Sequence, residues 1–377
     1  MNVLAIDTES NTWNKGSWSD RRHKPVCYSF ADEQDSGAER ISPESIELLQ
    51  RRVDKAGTIV GFNIKYDANV CRKLEINLEE KRIWCCQVAE FLLSNQQWKY
   101  PSLEESLVKH GLGHKEDKVA EYWKRGVQTE DIPWDILGSY ATTDAVMTLR
   151  LYEHQMGLMS ESQRRLCNLM CMDLMILAEM EWNGIKFNEE LARTRAGEIK
   201  EQIQQITGEL SKIYPDVPIN FGSGDQLSAF LYGGGITIPD KELVGVFKTG
   251  LRAGEPKYKN IERLVELPRL IEPLRGSALK KPGFFATNAD TLLKLKANKT
   301  TRHILDLIKK QVRLETLLSK TYNGLILKAE EQNWEPEYLH GQFNQVTVTT
   351  GRLSSSGPNL QNLDSEANDL FISRYET

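Results

Sequence analysis

The amino-acid sequence predicts an α/β domain over roughly the first 157 residues, then a mainly helical block, then a short stretch of different character. Three observations carry this. Short apolar runs alternate with helical patterns through the first 150 residues, and strands with intervening helices indicate an α/β domain. From Ser160 the apolar period becomes that of long helices. From His340 the residues HGQFNQVTVTTGRLSSSGPNLQN are rich in Ser, Gly, Asn and Pro, as loops are.

In chain order, Asn2 to Asp7 reads as a short buried strand, VLAI, ending on acidic residues, with further strands at Pro25 to Ala31 and Thr58 to Phe62. Helical patterns cover Ser42 to Lys55, Tyr66 to Lys73, Gln87 to Asn95, Leu103 to His110 and Asp135 to Glu153. Ser160 with Gln163 forms a capping box that opens a helix ended by Asn183-Gly184. Another helix runs from Asn188 to about Lys212, and Gly233-Gly234-Gly235 breaks the chain. Residues 236–286 are basic, rich in Gly and Pro and weakly periodic, so an irregular tip is expected there. Thr287 with Asp290 opens a helical region to about Glu331, and QVTVTT alternates like a strand.

The length, 377 residues, accommodates two or three domains with real cores. No window approaches a membrane span, and the start MNVLAIDTES lacks a signal peptide's charged-then-apolar order, so no membrane association and a cytoplasmic location are expected. None of the six cysteines sits in a paired CxxC arrangement, which argues against zinc; Cys167 and Cys171, four apart on an apolar helix, read as core packing. The formal net charge is −5, yet residues 240–330 carry 19 Lys/Arg against 10 Asp/Glu, a net of +9. That leaves −14 on the remainder. Such a split suits a protein that grips phosphates in one place and metal ions in another; a solvated lysine-rich surface is the plain alternative.

Three short patterns bear on chemistry. Asp7 and Glu9 lie two apart at a strand end, so both carboxylates project to one side. Asn63 and Asp67 follow the strand TIVGF and are four apart at a helix entrance; Tyr140 and Asp144 are four apart on a helix. Taken singly these read as a solvated strand end, a helix cap and a buried tyrosine beside a surface aspartate. Taken in order, D-x-E on the first strand, N-x-x-x-D after a strand and Y-x-x-x-D on a helix resemble the DEDD exonuclease superfamily in its tyrosine-bearing subclass (DEDDy), over about residues 1 to 157. The stretches SLEESLVKHGLGHKEDKVAEYW and VAEFLLS match the pattern of phage polymerase exonuclease domains.

Physics explains the residue types. Phosphodiester hydrolysis needs a water made nucleophilic at neutral pH and charge stabilisation at the attacking and leaving oxygens, which two hard divalent ions about 4 Å apart supply. The resemblance implies two Mg2+ ions, with Mn2+ a substitute, held by Asp7, Glu9, Asp67 and Asp144. It implies that Asp7 bridges both, that Glu9 and Asp144 ligate the ion that activates water, that Asp67 supports the second through water, that Tyr140 orients the attacking water, and that Asn63 contacts substrate or steadies the cluster.

TGRLSSSGPNLQN, Thr350 to Asn362, closely resembles the family A DNA polymerase segment at the palm's edge. The resemblance implies primer-template contacts by Arg352, Ser354, Asn359, Gln361 and Asn362, in the nearly sequence-independent minor groove. EMEWNGIKFNEELA and NFGSGDQLSAFLY resemble the family's thumb, although Gly224-Asp225 stands where Pro-Lys is common. The implied organisation is a 3′→5′ exonuclease domain over 1–158, RNase H-like with a mixed sheet; a mainly helical thumb over 159–339, with a basic tip or insert over about 233–286 of phage type; and the start of a palm over 340–377. The implied activity is proofreading exonuclease on a single-stranded or frayed 3′ DNA end, with primer-template binding. No D-x-S-x-x-E-like motif, fingers helix or H-D-E-like triplet occurs, so no nucleotide addition by this chain alone is expected. A truncated chain and a natural half that pairs with a C-terminal polymerase half stay open, as does a processivity factor. Two other readings are a stand-alone exoribonuclease, against which the TGRLSS segment argues, and a non-catalytic DNA-binding subunit.

Overall fold

The computed structural model describes residues 2–114, 118–246, 248–249 and 253–373. The stretch 102–123 and the segments 233–286 and 340–377 singled out above each include residues outside that description. The chain forms two compact units, one of Met1–Glu189 with Leu325–Thr377 and one of Glu190–Gly324.

The first unit is built on a five-stranded mixed sheet. Its strands are β1 (Val3–Ser10), β2 (Pro25–Ala31), β3 (Ser36–Arg40), β4 (Thr58–Gly61) and β5 (Arg82–Cys85), in the order β3-β2-β1-β4-β5. β1 pairs antiparallel with β2 and parallel with β4. Leu4, Ala5 and Ile6 are all buried, as a continuous apolar run in a central strand covered on both faces should be. Each such aliphatic side chain contributes about 1.5–3 kcal/mol on burial.

Helices α1 (Pro43–Lys55), α2 (Lys65–Lys73), α3 (Cys86–Leu93), α4 (Leu103–His110), α5 (Lys118–Lys124), α6 (Trp134–Leu158) and α7 (Glu161–Asn183) follow. Local chemistry sets their ends. α1 and α4 open on capping boxes (Ser42/Ser45, Ser102/Glu105), and α7 on the expected Ser160/Gln163 box. Gly111 closes α4 in the left-handed region at φ 67°. All six cysteines are buried and reduced. Among the described residues no helix is long and apolar enough to cross a membrane.

The same unit holds β6 (Ile185–Lys186) paired with β9 (Tyr338–Leu339), and β10 (Gln342–Asn344) paired with β11 (Ser354–Ser356). QVTVTT is therefore not the strand: β10 lies just before it. Val346 adopts φ 41° and is buried, and Gln345 Nε2 donates to the Met170 carbonyl at 3.0 Å, so docking to the core breaks the expected alternation.

A half-buried polar string centred on the buried His23 ties α2 to the β1–β2 connection. Lys73 Nζ donates to His23 Nδ1 at 3.2 Å, His23 Nε2 lies 3.4 Å from Tyr66 Oη, and Tyr66 Oη donates to the Gly16 carbonyl at 3.0 Å. Burial, with the Lys73 charge beside it, lowers His23 to about 4, against Asp20's opposing pull. An unfolded histidine takes a proton near pH 6.5. Below that pH the unfolded chain binds a proton that the folded chain refuses. Stability is therefore full above about pH 6.5 and falls, by at most one proton's slope, down to about pH 4. Urea unfolding followed by tryptophan fluorescence at pH 7 and pH 5 should show this loss, and His23→Gln should remove that part of it. Asp20 acts in a lower window: burial alone would raise it, but hydrogen bonds from Arg22 and Asn333 outweigh burial and hold the carboxyl well below the usual range.

The second unit comprises α8 (Glu189–Ser211), α9 (Gly224–Tyr232), the strands β7 (Gly234–Val246) and β8 (Pro256–Leu267), α10 (Ala289–Lys294) and α11 (Lys299–Leu317). α12 (Asn323–Gln332) leads back into the first unit. Asn288, rather than Thr287, caps α10, its side chain accepting the Thr291 amide at 2.8 Å. The core gathers Leu210, Phe221, Phe230, Leu231, Leu305 and Ile308. In place of the expected irregular tip, the first part of that segment is a long antiparallel hairpin of β7 and β8. Ile236, Ile238 and Leu267 at its base are buried with Ala229, while Leu243, Val246 and Tyr258 further out are exposed. The outer ladder is thus held by main-chain hydrogen bonds with little burial, which leaves no hydrophobic period to read.

Candidate active site

β4 pairs with β1 only as far as Ala5–Val60, so beyond Ala5 that edge of β1 is given up by the sheet. The chain after β4 turns sharply. A Cβ on Gly61 would lie 2.8 Å from that of Ile64, and Asn63 adopts φ 56°, a left-handed conformation that Asn tolerates better than most residues. This turn starts α2 and sets Asp67 beside β1. Asp67 Oδ1 accepts the Thr8 amide at 2.9 Å and the Thr8 hydroxyl at 2.7 Å. Asp67 is buried, and burial raises its carboxyl to about 7 against the lowering effect of the two Thr8 hydrogen bonds.

Asp7 and Glu9, on either side of Thr8, meet Asp144 of α6: one carboxylate oxygen from each residue lies within 4.8 Å of the others. Asp7 and Glu9 are half-buried and Asp144 is buried. Two neighbours, the buried Cys27 and the half-buried Tyr66, register the field of this cluster. Burial first, then the charges of Glu9 and Asp7, push the Cys27 thiol up; burial first, then the charges of Asp67, Glu9 and Asp7, push the Tyr66 phenol up. A set of hard oxygen donors with no nitrogen or sulfur, crowded closely enough to repel, fits a hard divalent cation.

Tyr140 stands one turn before Asp144 on α6, half-buried. Its ring packs edge-on against Trp123 of α5 at 5.9 Å. Trp123 Nε1 donates to Thr129 Oγ1 at 3.2 Å, and Thr129 Oγ1 donates to the Ser10 carbonyl at 2.7 Å, which ties the tyrosine's support to the end of β1. Thr8, Trp123 and Thr129 were not legible as site residues, because each acts through a contact distant in sequence. The other sequence-assigned residues lie elsewhere in this unit. Ser354 is in β11, with its hydroxyl 2.8 Å from that of Thr347. Arg352, Asn359, Gln361 and Asn362 are exposed, and Asn359 Oδ1 accepts the Gln361 amide at 3.1 Å.

A 3′-5′ exonuclease family model matches residues 1–158, and the DNA polymerase family A model matches residues 260–374. The chain is thus similar to 3′-5′ exonucleases over its first part and to family A DNA polymerases over its later part. The match over residues 1–158 is to a metal-dependent type of exonuclease domain, and Asp7, Glu9 and Asp144 form an acidic group fitted to hold a divalent ion. DNA polymerase I of Pseudomonas aeruginosa is 24% identical over 312 residues, covering 81% of this chain and 29% of the relative. DNA polymerase I of Bacillus subtilis is 29% identical over 249 residues (64% and 22%). DNA polymerase DpoZ of Acinetobacter phage SH-Ab 15497 is 27% identical over 225 residues (56% and 35%). Bacterial and phage members of the family are therefore similar to this chain to about the same degree, and the chain spans well under half of each. The fold is shared with the POL domain of Pol1 from M. smegmatis, solved in complex with DNA primer-template and dNTP, at a TM-score of 0.68 and 18% identity over 98% of this chain and 54% of that one.

Proposed function

We propose that this chain removes nucleotides from the 3′ end of single-stranded or frayed DNA, as the proofreading exonuclease of a family A polymerase. The observation that carries this reading is the meeting of Asp7, Glu9 and Asp144 within 4.8 Å, with Asp67 locked to the Thr8 that separates the first two. These four carboxylates would hold two Mg2+ ions, or Mn2+. When bound, the ions supply an acidified water and neutralise charge on the attacking and leaving oxygens. The chain's own groups do the rest: β1 presents two carboxylates together, Thr8 holds Asp67 by two donors, and the Tyr140 hydroxyl orients the attacking water. Mismatched ends unpair more cheaply, which selects them for a recessed site.

The test is digestion of 3′-labelled and 5′-labelled single-stranded DNA with magnesium. Mononucleotide release from the 3′ end supports the reading. Endonucleolytic products, or RNA degraded in preference to DNA, would remove it. Tyr140→Phe should cut kcat by about 10- to 100-fold with little change in KM, since it removes only a positioning hydroxyl; an unchanged kcat would take Tyr140 out of the site.

The same proposal assigns residues 159–339 to a thumb, with 233–286 as a tip that meets duplex phosphates, and 340–377 to the start of a palm in which Arg352, Ser354, Asn359, Gln361 and Asn362 contact primer-template. Asn63 contacts the strand being cut. A cytoplasmic location, host-cell cytoplasm for a phage gene, goes with it and is checked by fractionation of expressing cells. No templated extension by this chain alone is expected. Polymerisation is assigned to the part of the family's polypeptide that has no counterpart here. That remainder is also the proposed partner of α7, whose Leu169, Met172, Ile176 and Met180 form an exposed apolar stripe. A polymerase half that bound wild type and Ile176→Asp equally in sedimentation would remove that assignment.

A further inference from the structure

α2 begins without a side-chain cap, so the turn that carries Asp67 is not fixed in the usual way. Its first residue, Lys65, turns inward instead. Lys65 Nζ lies 2.6 Å from Glu181 Oε1 of α7 and donates to the Phe343 carbonyl of β10 at 2.6 Å, while Glu181 Oε1 also accepts the Phe343 amide at 2.6 Å. The two charged side chains are 16% and 3% exposed. The ring so formed joins three elements distant in sequence: the helix bearing Asp67, the helix following the exonuclease domain, and the strand that leads to Arg352–Asn362. The strand is pinned on either side of the ring. His340 Nδ1 donates to the Glu181 carbonyl at 2.8 Å, and the Tyr100 amide donates to the Val346 carbonyl at 3.2 Å.

A buried ion pair is a poor stabiliser: desolvation offsets most of its attraction, and apolar residues of similar shape usually serve stability as well or better. Its value lies in direction, because three short charge-assisted contacts hold one geometry. We propose that Lys65 and Glu181 are positioning residues of the exonuclease, which fix the first turn of α2 through β10 so that Asp67 meets Thr8. The segment assigned to primer-template then shares a rigid support with a carboxylate of the cutting site. This inference rests on the function proposed above.

Four proteins test it: Lys65→Met, Glu181→Leu, the two combined, and Lys65→Arg. Three readings are taken besides the melting temperature, namely kcat and KM on single-stranded DNA, Mn2+ affinity of the DNA-free protein by electron paramagnetic resonance, and exchange of the Thr8 amide that donates to Asp67. Lys65→Met should lower kcat about 10- to 100-fold with KM changed less than about twofold, weaken Mn2+ binding about tenfold and speed Thr8 exchange. The combined variant removes the stranded buried charge, so its melting temperature should rise above that of either single variant, short of wild type because the Phe343 amide and carbonyl lose their partners, while the other three readings stay impaired. Lys65→Arg should recover part of each. A combined variant with wild-type kcat, Mn2+ affinity and Thr8 exchange would show a purely structural pair and overturn the inference. Should the wild type cleave no DNA, the functional reading fails, yet the Mn2+ and Thr8 readings still decide whether the pair positions Asp67.

Discussion

Replacing Asp7 and Glu9 together by alanine is expected to reduce 3′-end digestion of single-stranded DNA by about a thousandfold or more, because metal-supplied charge stabilisation amounts to several kcal/mol of the barrier. The two residues supply two of the three carboxylates that meet within 4.8 Å, and what remains is Asp144 with the more buried Asp67. A pair of carboxylates on separate helices does not enclose a cation as the strand-borne pair does. Both side chains are only half-buried, so the variant should fold, and its melting temperature without metal should equal or exceed that of wild type once mutual repulsion is relieved. Gel analysis of labelled products measures the first quantity and calorimetry the second. Digestion that survives the double replacement would place the chemistry elsewhere.

Phe230→Ala should cost the second unit about 3–5 kcal/mol, a large part of the stability of a domain of that size. Phe230 is fully buried and meets Phe221 edge-on at 5.1 Å and Tyr214 at 5.6 Å, so truncation loses transfer energy, two aromatic contacts and packing around a cavity that rigid neighbours cannot fill. Urea unfolding should show an early transition that wild type lacks. Duplex DNA binding should weaken with it, whereas digestion of single-stranded DNA, assigned wholly to the first unit, should persist. Loss of both activities together would contradict that assignment.

Much of this was legible because it is local. The alternation of strand side chains makes Asp7 and Glu9 neighbours whatever surrounds them, and the helical repeat does the same for Tyr140 and Asp144. Capping chemistry announced α7 through Ser160 and Gln163. Elements without a hydrophobic period were not legible. β3, SGAER, is a polar edge strand, recognisable only by the β2 edge it completes, and the outer part of the β7–β8 hairpin buries almost nothing. QVTVTT has the right alternation in the wrong place, since a core contact at Val346 outweighs propensity.

The sequence by itself determined the mixed α/β domain, the helical block after it, and the identity and order of the carboxylates, because those follow from spacing along the chain. Only the tertiary structure decided which groups hold them: Thr8 on Asp67, Trp123 against Tyr140, Lys65 and Glu181 around Phe343. Those contacts join residues separated by 17 to 278 positions. Pairings at such separations are set by how β4 leaves β1 and how β10 docks on α7, and no pattern of neighbouring residues encodes them.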